Sequence, residues 1–411
     1  MPVYRNRNAK ATRKGTVMDD GTAFTAHTKP TTARALTPDD VKRHNRAAII
    51  RRLNAEGPAT KRDLAQALGL SLPTVTQNLR DLAADGVVRR DGELASTGGR
   101  RAGTYAFDPR CRTAIGAELG ATALTMVAVD MNGDVTDARS RVMRLRDDAA
   151  YAQRAADAIG DFADALRRPV AGVGVAVPAT VMDASPAPIM PAALVQALRQ
   201  RRPANAVRAP IADAEAELWR DRTLTDALCV YLDRRPSGAL IVDGRVHPTG
   251  GRIEHMTLVP GGRECRCGRR GCMDAYCSLE TLPEDYESIP GFFSVLEQGE
   301  THHRERMSQW LDSLALAIGN ARSVVPGDVI VGGEAAGYLD ERDLAALRER
   351  VAGNGGADGG FRLRAAARIE HGTTVGAALP FVRAAMADLE GATGEASPNP
   401  ADPTPPSTMK V

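Results

Sequence analysis

The stretch HMTLVPGGRECRCGRRGCMDAY, residues 255–276, puts one histidine and three cysteines (His255, Cys265, Cys267 and Cys272) within eighteen residues. Only three other cysteines, Cys111, Cys229 and Cys277, occur in the 411-residue chain. Zinc takes four nitrogen or sulfur donors in a tetrahedron, and a set filled entirely by protein makes a structural ion. Gly261, Gly262, Gly268 and Gly271 let a short loop wrap around such an ion, with Cys277 as a spare. The CxC spacing is not the CxxC of a redox pair, and a stand-alone zinc ribbon needs two CxxC knuckles. A zinc deaminase needs a catalytic Glu in an HxE and PCxxC setting, which is absent here. The loop therefore reads as a structural zinc site.

Outward from this loop, the composition is that of a soluble protein of two or three domains: 43% hydrophobic and 25% charged residues over 411 positions. No apolar run is long enough for a membrane span, and MPVYRNRNAK offers no apolar core for a secretory signal. The expected location is cytoplasmic. Residues 1–110 carry 20 Lys or Arg against 11 Asp or Glu, a net of +9; with +2 overall, the remainder sums to −7. A polyanion partner at one end would fit this asymmetry, as would a basic tail.

The N-terminal 1–37 reads as a disordered basic arm, and the Pro/Ser/Thr-rich 389–411 as a disordered tail. Between them, 38–108 is a small helical block. In DDVKRHNRAAIIRRLNAEG, Ala48, Ile49 and Leu53 fall at helical spacing. TKRDLAQALGL begins with Thr60 as N-cap and Asp63 three residues on, with Leu64, Ala67 and Leu68 as its core face. Gly69 permits a tight turn, and SLPTVTQNLRDLAADG then has Ser71 as cap, Pro73 in the first turn and Val75, Leu79 and Leu82 inward. Two short helices joined through a glycine turn make a helix-turn-helix, whose second helix enters the DNA major groove. Its outward candidates are Thr74, Thr76, Gln77, Asn78 and Arg80. The alternating VVRRDGELAS and RRAGTYAF predict a hairpin wing, with Arg100 and Arg101 at its tip for phosphates or a narrow minor groove. A three-helix packing module with solvated arginines is the plainer reading of the same residues.

The large block, 111–388, alternates strands and helices and predicts an α/β fold. TAIGAELGATALTMVAVDMNGDV is two apolar strands and a hairpin turn; AGVGVAVPA, ALCVYLD, GALIVDG and PGDVIVGGEAAG add strands and glycine turns. In ERMSQWLDSLALAIGNARSVV, Met307, Trp310, Leu311, Leu314 and Ile318 share one helix face, which suits a core or an interface.

At this point GGRIEHMTLVPGGRECRCGRRGCMDAYCS, 250–278, resembles the signature of the ROK family of repressors, open reading frames and sugar kinases. The resemblance extends over nearly all of 40–388 through STGGRRAG, GVGVAVPA and DVIVGGE. It implies an actin-like, hexokinase-type pair of α/β lobes preceded by a winged helix-turn-helix, with the zinc loop at 255–272. Several departures bear on activity. The kinase phosphate loop Asp-x-Gly-x-Thr matches Glu118-Leu-Gly120-Ala-Thr122. The Gly-Thr-Gly-x-Gly loop matches RRPSGA at 234–239, where Pro236 removes flexibility and an amide donor. The catalytic Asn-Asp pair matches Ala212-Asp213, and the sugar-binding acids match Arg252 and Asp274.

The resemblance thus implies a DNA-binding regulator, a repressor of carbohydrate-related genes, that binds a double-stranded operator as a homodimer or homotetramer and has lost kinase activity. The implied effector is a sugar or sugar phosphate held by Asp213, Arg252, His255 and Asp274. Asp213 could equally be a solvated helix-terminal acid, and Arg252 an ion-pair partner of Glu254 or Asp274. A working sugar kinase with a DNA-binding appendage and a constitutive regulator that senses no sugar are the alternatives.

Overall fold

The computed structural model describes residues 37–94, 102–182, 187–354 and 360–391. Arg100, Arg101 and all but the edges of the two expected disordered ends lie outside the described residues. By contacts the chain divides into Met1–Val41 and Lys42–Val411. In the first unit, the Thr37 amide and hydroxyl donate to Asp40 Oδ2 at 3.0 and 2.7 Å.

A winged helix-turn-helix forms where the capping signals place it. After α1 (Pro38–Glu56) comes a short strand, β1 (Ala59–Thr60), then α2 (Lys61–Leu68) and α3 (Leu72–Ala84). Thr60 and Asp63 close a reciprocal capping box at the start of α2. Gly69 ends α2 at φ +64°, a left-handed conformation that glycine adopts without steric cost. Ser71 Oγ then accepts the Thr74 amide at 3.2 Å and starts α3. The wing is β2 (Val88–Leu94) and β3 (Ala102–Phe107), with β1 added to make the order β1-β3-β2. Burial differs slightly from the expected faces. Ala47, not Ala48, is buried in α1, and Ala67 faces solvent while Ala65 packs inward. Short helices tolerate such a rotation of the apolar stripe, because one or two residues decide their packing.

Two five-stranded sheets follow, and they share one topology. The first contains β4 (Thr113–Leu119), β5 (Ala123–Val129), β6 (Val135–Val142), β7 (Val170–Val177) and β8 (Ala204–Arg208) in the order β6-β5-β4-β7-β8. The second contains β9 (Ala227–Leu232), β10 (Pro236–Val242), β11 (Arg245–Val246), β12 (Asp328–Gly332) and β13 (Leu363–Ala365) in the order β11-β10-β9-β12-β13. In each, the first three strands are an antiparallel meander and the last two run parallel beside the first. The chain has built the same lobe twice.

The helices of the lobes are α4 (Ala149–Ala165), α5 (Ala179–Met182), α6 (Met190–Arg199), α7 (Ala209–Arg220), α8 (Asp274–Cys277), α9 (Ile289–Glu297), α10 (Thr301–Arg322), α11 (Glu341–Gly353) and α12 (Gly372–Leu389). The stripe Met307, Trp310, Leu311, Leu314 and Ile318 on α10 is buried in the core of the second lobe. It is spent on packing within the chain.

The segment between wing and first lobe is not a loose linker. A short 3-10 turn over Pro109–Cys111 joins them, and the Met131 amide donates to the Pro109 carbonyl at 2.9 Å. One apolar cluster runs from Ile49, Leu64, Val75 and Leu79 of the winged helix through Val127 and Val129 of β5 to Leu379 and Val382 of α12. The end of α12 is also tied polarly to the same region. Arg112 pairs with Asp388 at 2.7 Å, and Asn54 Nδ2 donates to Glu390 Oε1 at 3.2 Å. The first residues of the expected tail are therefore packed.

Close helix–sheet packing holds α12. An ideal Cβ on Gly174 of β7 would lie 1.7 Å from the Ala377 carbonyl oxygen, and one on Gly116 of β4 1.7 Å from that of Thr374. Only glycine lets the α12 backbone rest directly on these strands.

Candidate functional site

The metal loop is set by two short bridges, Thr257 against Cys272 and Glu264 against Arg270, with 3-10 residues Ile253–His255 at its start and α8 at its end. Ligand atoms of His255, Cys265, Cys267 and Cys272 all lie within 4.8 Å of one another. Cys267 Sγ is 3.7 Å from Cys272 Sγ, and Cys265 Sγ is 3.7 Å from His255 Nδ1. A tetrahedral ion with bonds of about 2.3 Å to sulfur and about 2.0–2.1 Å to nitrogen has S···S and S···N edges of roughly 3.8 and 3.6 Å. A disulfide needs about 2.05 Å, and every cysteine is free. The four side chains thus make a cage that can hold a metal ion. Cys277, the sequence's spare, lies in the core of the second lobe with no exposed surface.

The neighbouring acids have other partners. Glu254 is buried and pairs with buried Arg208 at 2.8 Å. Asp274 accepts from Ser278 Oγ at 2.8 Å, sits 3.6 Å from Cys265 Sγ and lies 3.9 Å from Arg235. Arg252 is exposed.

A second site lies where the C-terminal ends of both sheets meet the N-terminus of α12. A cavity of about 310 Å³ is lined by Glu118 at the end of β4, Asp213 and Glu217 of α7, Tyr231 of β9, Asp233 just beyond it and Thr373 of α12. Strand C-termini are where open α/β sheets place ligands. Sequence reasoning expected Asp213 to share a pocket with Arg252, His255 and Asp274, but none of those three lines this cavity. The acids that do join Asp213 come from positions far apart in sequence, and only Glu118 had been singled out. Asp233 and Glu217 carry no local signal beyond their charge.

Crowded carboxylates change one another's chemistry. Burial, followed by the like charges of Asp233, Glu118 and Glu217, pushes the Asp213 carboxyl from its ordinary 3.8 to about 7, against the hydrogen bond from Thr373 Oγ1 at 2.6 Å. Burial also raises Glu118 and Asp233. Because folded Asp213 binds its proton more tightly than the unfolded chain does, its contribution to stability falls as pH rises from about 4 to about 7. Asp213→Asn removes that penalty. Thermal melts should therefore show the variant stabilised at pH 8 and not at pH 4; equal shifts at both would sink this assignment.

The third site is α3. Thr76, Gln77 and Arg80 are exposed, and Thr74 is half-buried with its hydroxyl 2.7 Å from Ser71 Oγ. Gln77 Nε2 donates to Asp81 at 2.9 Å, and Asp81 also pairs with Lys42 at 2.8 Å. Asn78 departs from expectation: it is 5% exposed, and its amide donates to the Thr74 carbonyl at 2.8 Å. It lies one turn from Thr74 and beside inward Leu79, so packing turns it away from solvent. Leu72, which the sequence did not single out, is 51% exposed in the first turn.

These three sites sit in regions that match two family models: the ROK family over residues 114–381, and winged helix-turn-helix DNA-binding over 43–89. The chain belongs to the ROK family. Among this ROK chain's relatives is the DNA-binding transcriptional dual regulator NagC of Escherichia coli K12, 27% identical over 64% of this chain and 67% of that protein. Two solved structures share the fold. A ROK family transcriptional regulator, a homolog of the E. coli MLC protein, aligns with a TM-score of 0.64 at 18% identity over 85% of this chain and 98% of that one. The ROK hexokinase of Thermus thermophilus aligns with a TM-score of 0.56 at 21% identity over 65% and 97%. The relatives of this ROK chain thus include both regulators and kinases. No helix among the described residues is long and apolar enough to cross a membrane.

Proposed function

We propose that this ROK protein is a sugar-responsive transcriptional repressor in which the kinase-like lobes sense an effector and the winged helix holds an operator. The observation that carries the reading is α12. Its first turn contributes Thr373 to the carboxylate cavity, and its last turns pack in the same apolar core as the winged helix. One helix therefore touches both the place where a ligand can bind and the element that can read DNA. An effector that favours one lobe arrangement about a hundredfold shifts the DNA-competent population by about 2.7 kcal/mol. The name of the relative NagC, a DNA-binding transcriptional dual regulator, supports a regulatory role by homology.

Phosphoryl transfer depends on holding and neutralising a triphosphate. The positions that would do so present Glu118 and Asp233, and Pro236 is locked into β10 opposite Leu232. The proposal is that kinase activity is absent. The metal cage holds a structural zinc through His255, Cys265, Cys267 and Cys272, with Asp274 packed against it. A palindromic operator would be read by an even-numbered oligomer, since one winged helix reads one half-site.

On α3, Thr76, Gln77 and Arg80 face the groove, and Leu72 is placed for a thymine methyl. Gln77→Ala is expected to relax sequence preference at one operator position at a cost of roughly 1–3 kcal/mol. Asn78→Ala is expected to lower stability while leaving that preference intact. Gel-shift titrations on operator variants, found by mapping the protein's genomic sites, separate the two. Unchanged binding for both Gln77→Ala and Arg80→Ala would overturn the recognition-helix reading.

A further inference from the structure

Away from the metal cage, α3 and the carboxylate cavity, a strongly charged groove lies between edge strand β6 and α4. Its walls carry Arg141, Arg144, Arg146 and Arg154 against one acid, Asp157, which accepts from Gln153 Nε2 at 2.9 Å. None of the four arginines forms an ion pair among the described residues.

Strand β6 is itself an open edge. It ends the order β6-β5-β4-β7-β8, and every residue from Val135 to Val142 except Thr136 is exposed, Val142 by 92%. The Met143 and Leu145 amides donate to the Thr122 and Ala121 carbonyls at 2.9 and 3.0 Å, so odd-numbered residues here turn their main chain toward β5. Alternation in an antiparallel ladder then turns the N–H and C=O groups of Ala138, Ser140 and Val142 outward. No described strand meets them there. Arg139 lies over the Phe162 ring of α4 at 5.5 Å, which puts Arg141, two residues on, on the same face. A row of open main-chain donors and acceptors thus runs beside a row of unmatched positive charges.

From this geometry we infer that β6 and its groove dock an acidic, extended segment of a partner protein by strand addition. Its main chain pairs with Ala138, Ser140 and Val142, and its carboxylates meet the arginines of the groove. A nucleic acid fits less well, because a phosphate backbone has no N–H for the outward carbonyls. The groove is also remote from the DNA-reading element. Val142 pairs with Ala123, whereas the apolar core of the winged helix continues into Val129 at the other end of β5, about 20 Å away at about 3.4 Å per residue. A second copy is disfavoured too, because β6 against β6 sets arginine beside arginine. The charges that guard this edge against self-pairing select an acidic chain.

The test uses the full-length protein and three fluorescein-labelled octapeptides: alternating Glu-Thr, its Gln-Thr counterpart, and a Glu-Pro counterpart that lacks the N–H groups a strand needs. The Glu-Thr peptide is expected to bind roughly tenfold or more tighter than either control and to slow amide hydrogen exchange across 136–143. Arg141→Glu with Arg144→Glu should cut the preference over Gln-Thr to roughly threefold or less. Ser140→Pro removes one outward N–H and spares the ladder to β5; it should weaken the Glu-Thr peptide roughly tenfold. Operator gel shifts at wild-type strength identify folded variants, and the exchange measurement on the wild type needs no variant. Equal binding of Glu-Thr and either control, or binding without slowed exchange, overturns the inference. So does non-operator duplex DNA that displaces the peptide and depends on the same arginines, which would make the groove a nucleic-acid site. A lower oligomeric state in Ser140→Pro would make it a contact between copies and overturn it as well.

Discussion

Cys272→Ser is expected to leave purified protein with well under one zinc per chain and a melting temperature lower by roughly 6–20 °C. Cys272 is fully buried, sits 3.7 Å from Cys267 and bridges to Thr257 in the loop's ladder. A closed site couples metal binding to folding, with apparent binding energies of about 10–16 kcal/mol in small zinc peptides. A whole lobe retains its own core, so only part of that energy is lost; about 3–5 kcal/mol at about 2–4 °C per kcal/mol gives the stated shift. Cys265→Ser, Cys267→Ser and His255→Ala should behave alike. Cys277→Ser should keep its zinc and lose only a modest amount of packing. Elemental analysis with thermal melts checks the set, and a wild-type protein that purifies with far less than one zinc per chain defeats the metal assignment outright.

Gly174→Ala is the second large effect. Its Cβ would lie 1.7 Å from the Ala377 carbonyl oxygen and 2.5 Å from that carbonyl carbon, both backbone atoms that no rotamer change can move. Either β7 or α12 must shift, and overpacking of this kind costs about 1–3 kcal/mol or more. Because α12 joins the cavity to the winged-helix core, the displacement should also weaken the response of operator binding to effector. Gly353→Ala at the end of α11 meets nothing within 4 Å and is the control; it should be neutral or slightly stabilising. Denaturant midpoints that agree for the two variants would mean that α12 is free to slide over the sheet.

Much of the fold was legible because its signals are local. Capping at Thr60 and Ser71, the left-handed turn at Gly69 and the apolar spacing of Val75, Leu79 and Leu82 each involve residues a few positions apart. The cage was legible for the same reason: its histidine and three cysteines fall within eighteen residues, and the glycines between them permit the tight turns that bring them together. Six lobe strands, β4, β5, β7, β9, β10 and β12, could be read from their apolar runs, and the family resemblance supplied the two-lobed class; β6, β8, β11 and β13 carry no such run. The identical order of the two sheets had no signature in the sequence, since it depends on which strands pair and not on what they contain.

Tertiary structure decided the rest. Asn78 has the residue type and spacing of a base-reading side chain, yet packing turns it inward, and only the observed burial could say so. Asp213 and Glu118 were found by their motifs, but their other neighbours were not. The cavity draws on positions 118, 213, 217, 231, 233 and 373, brought together only when β4, α7, β9 and α12 converge. Arg252, expected beside Asp213, does not line this cavity, because distance in sequence does not constrain distance in space. The sequence determined that a Cys/His loop able to hold a metal and a winged helix-turn-helix exist. The close approach of α12 to β4 and β7, permitted by Gly116 and Gly174, placed the cavity and the winged helix at two ends of one helix.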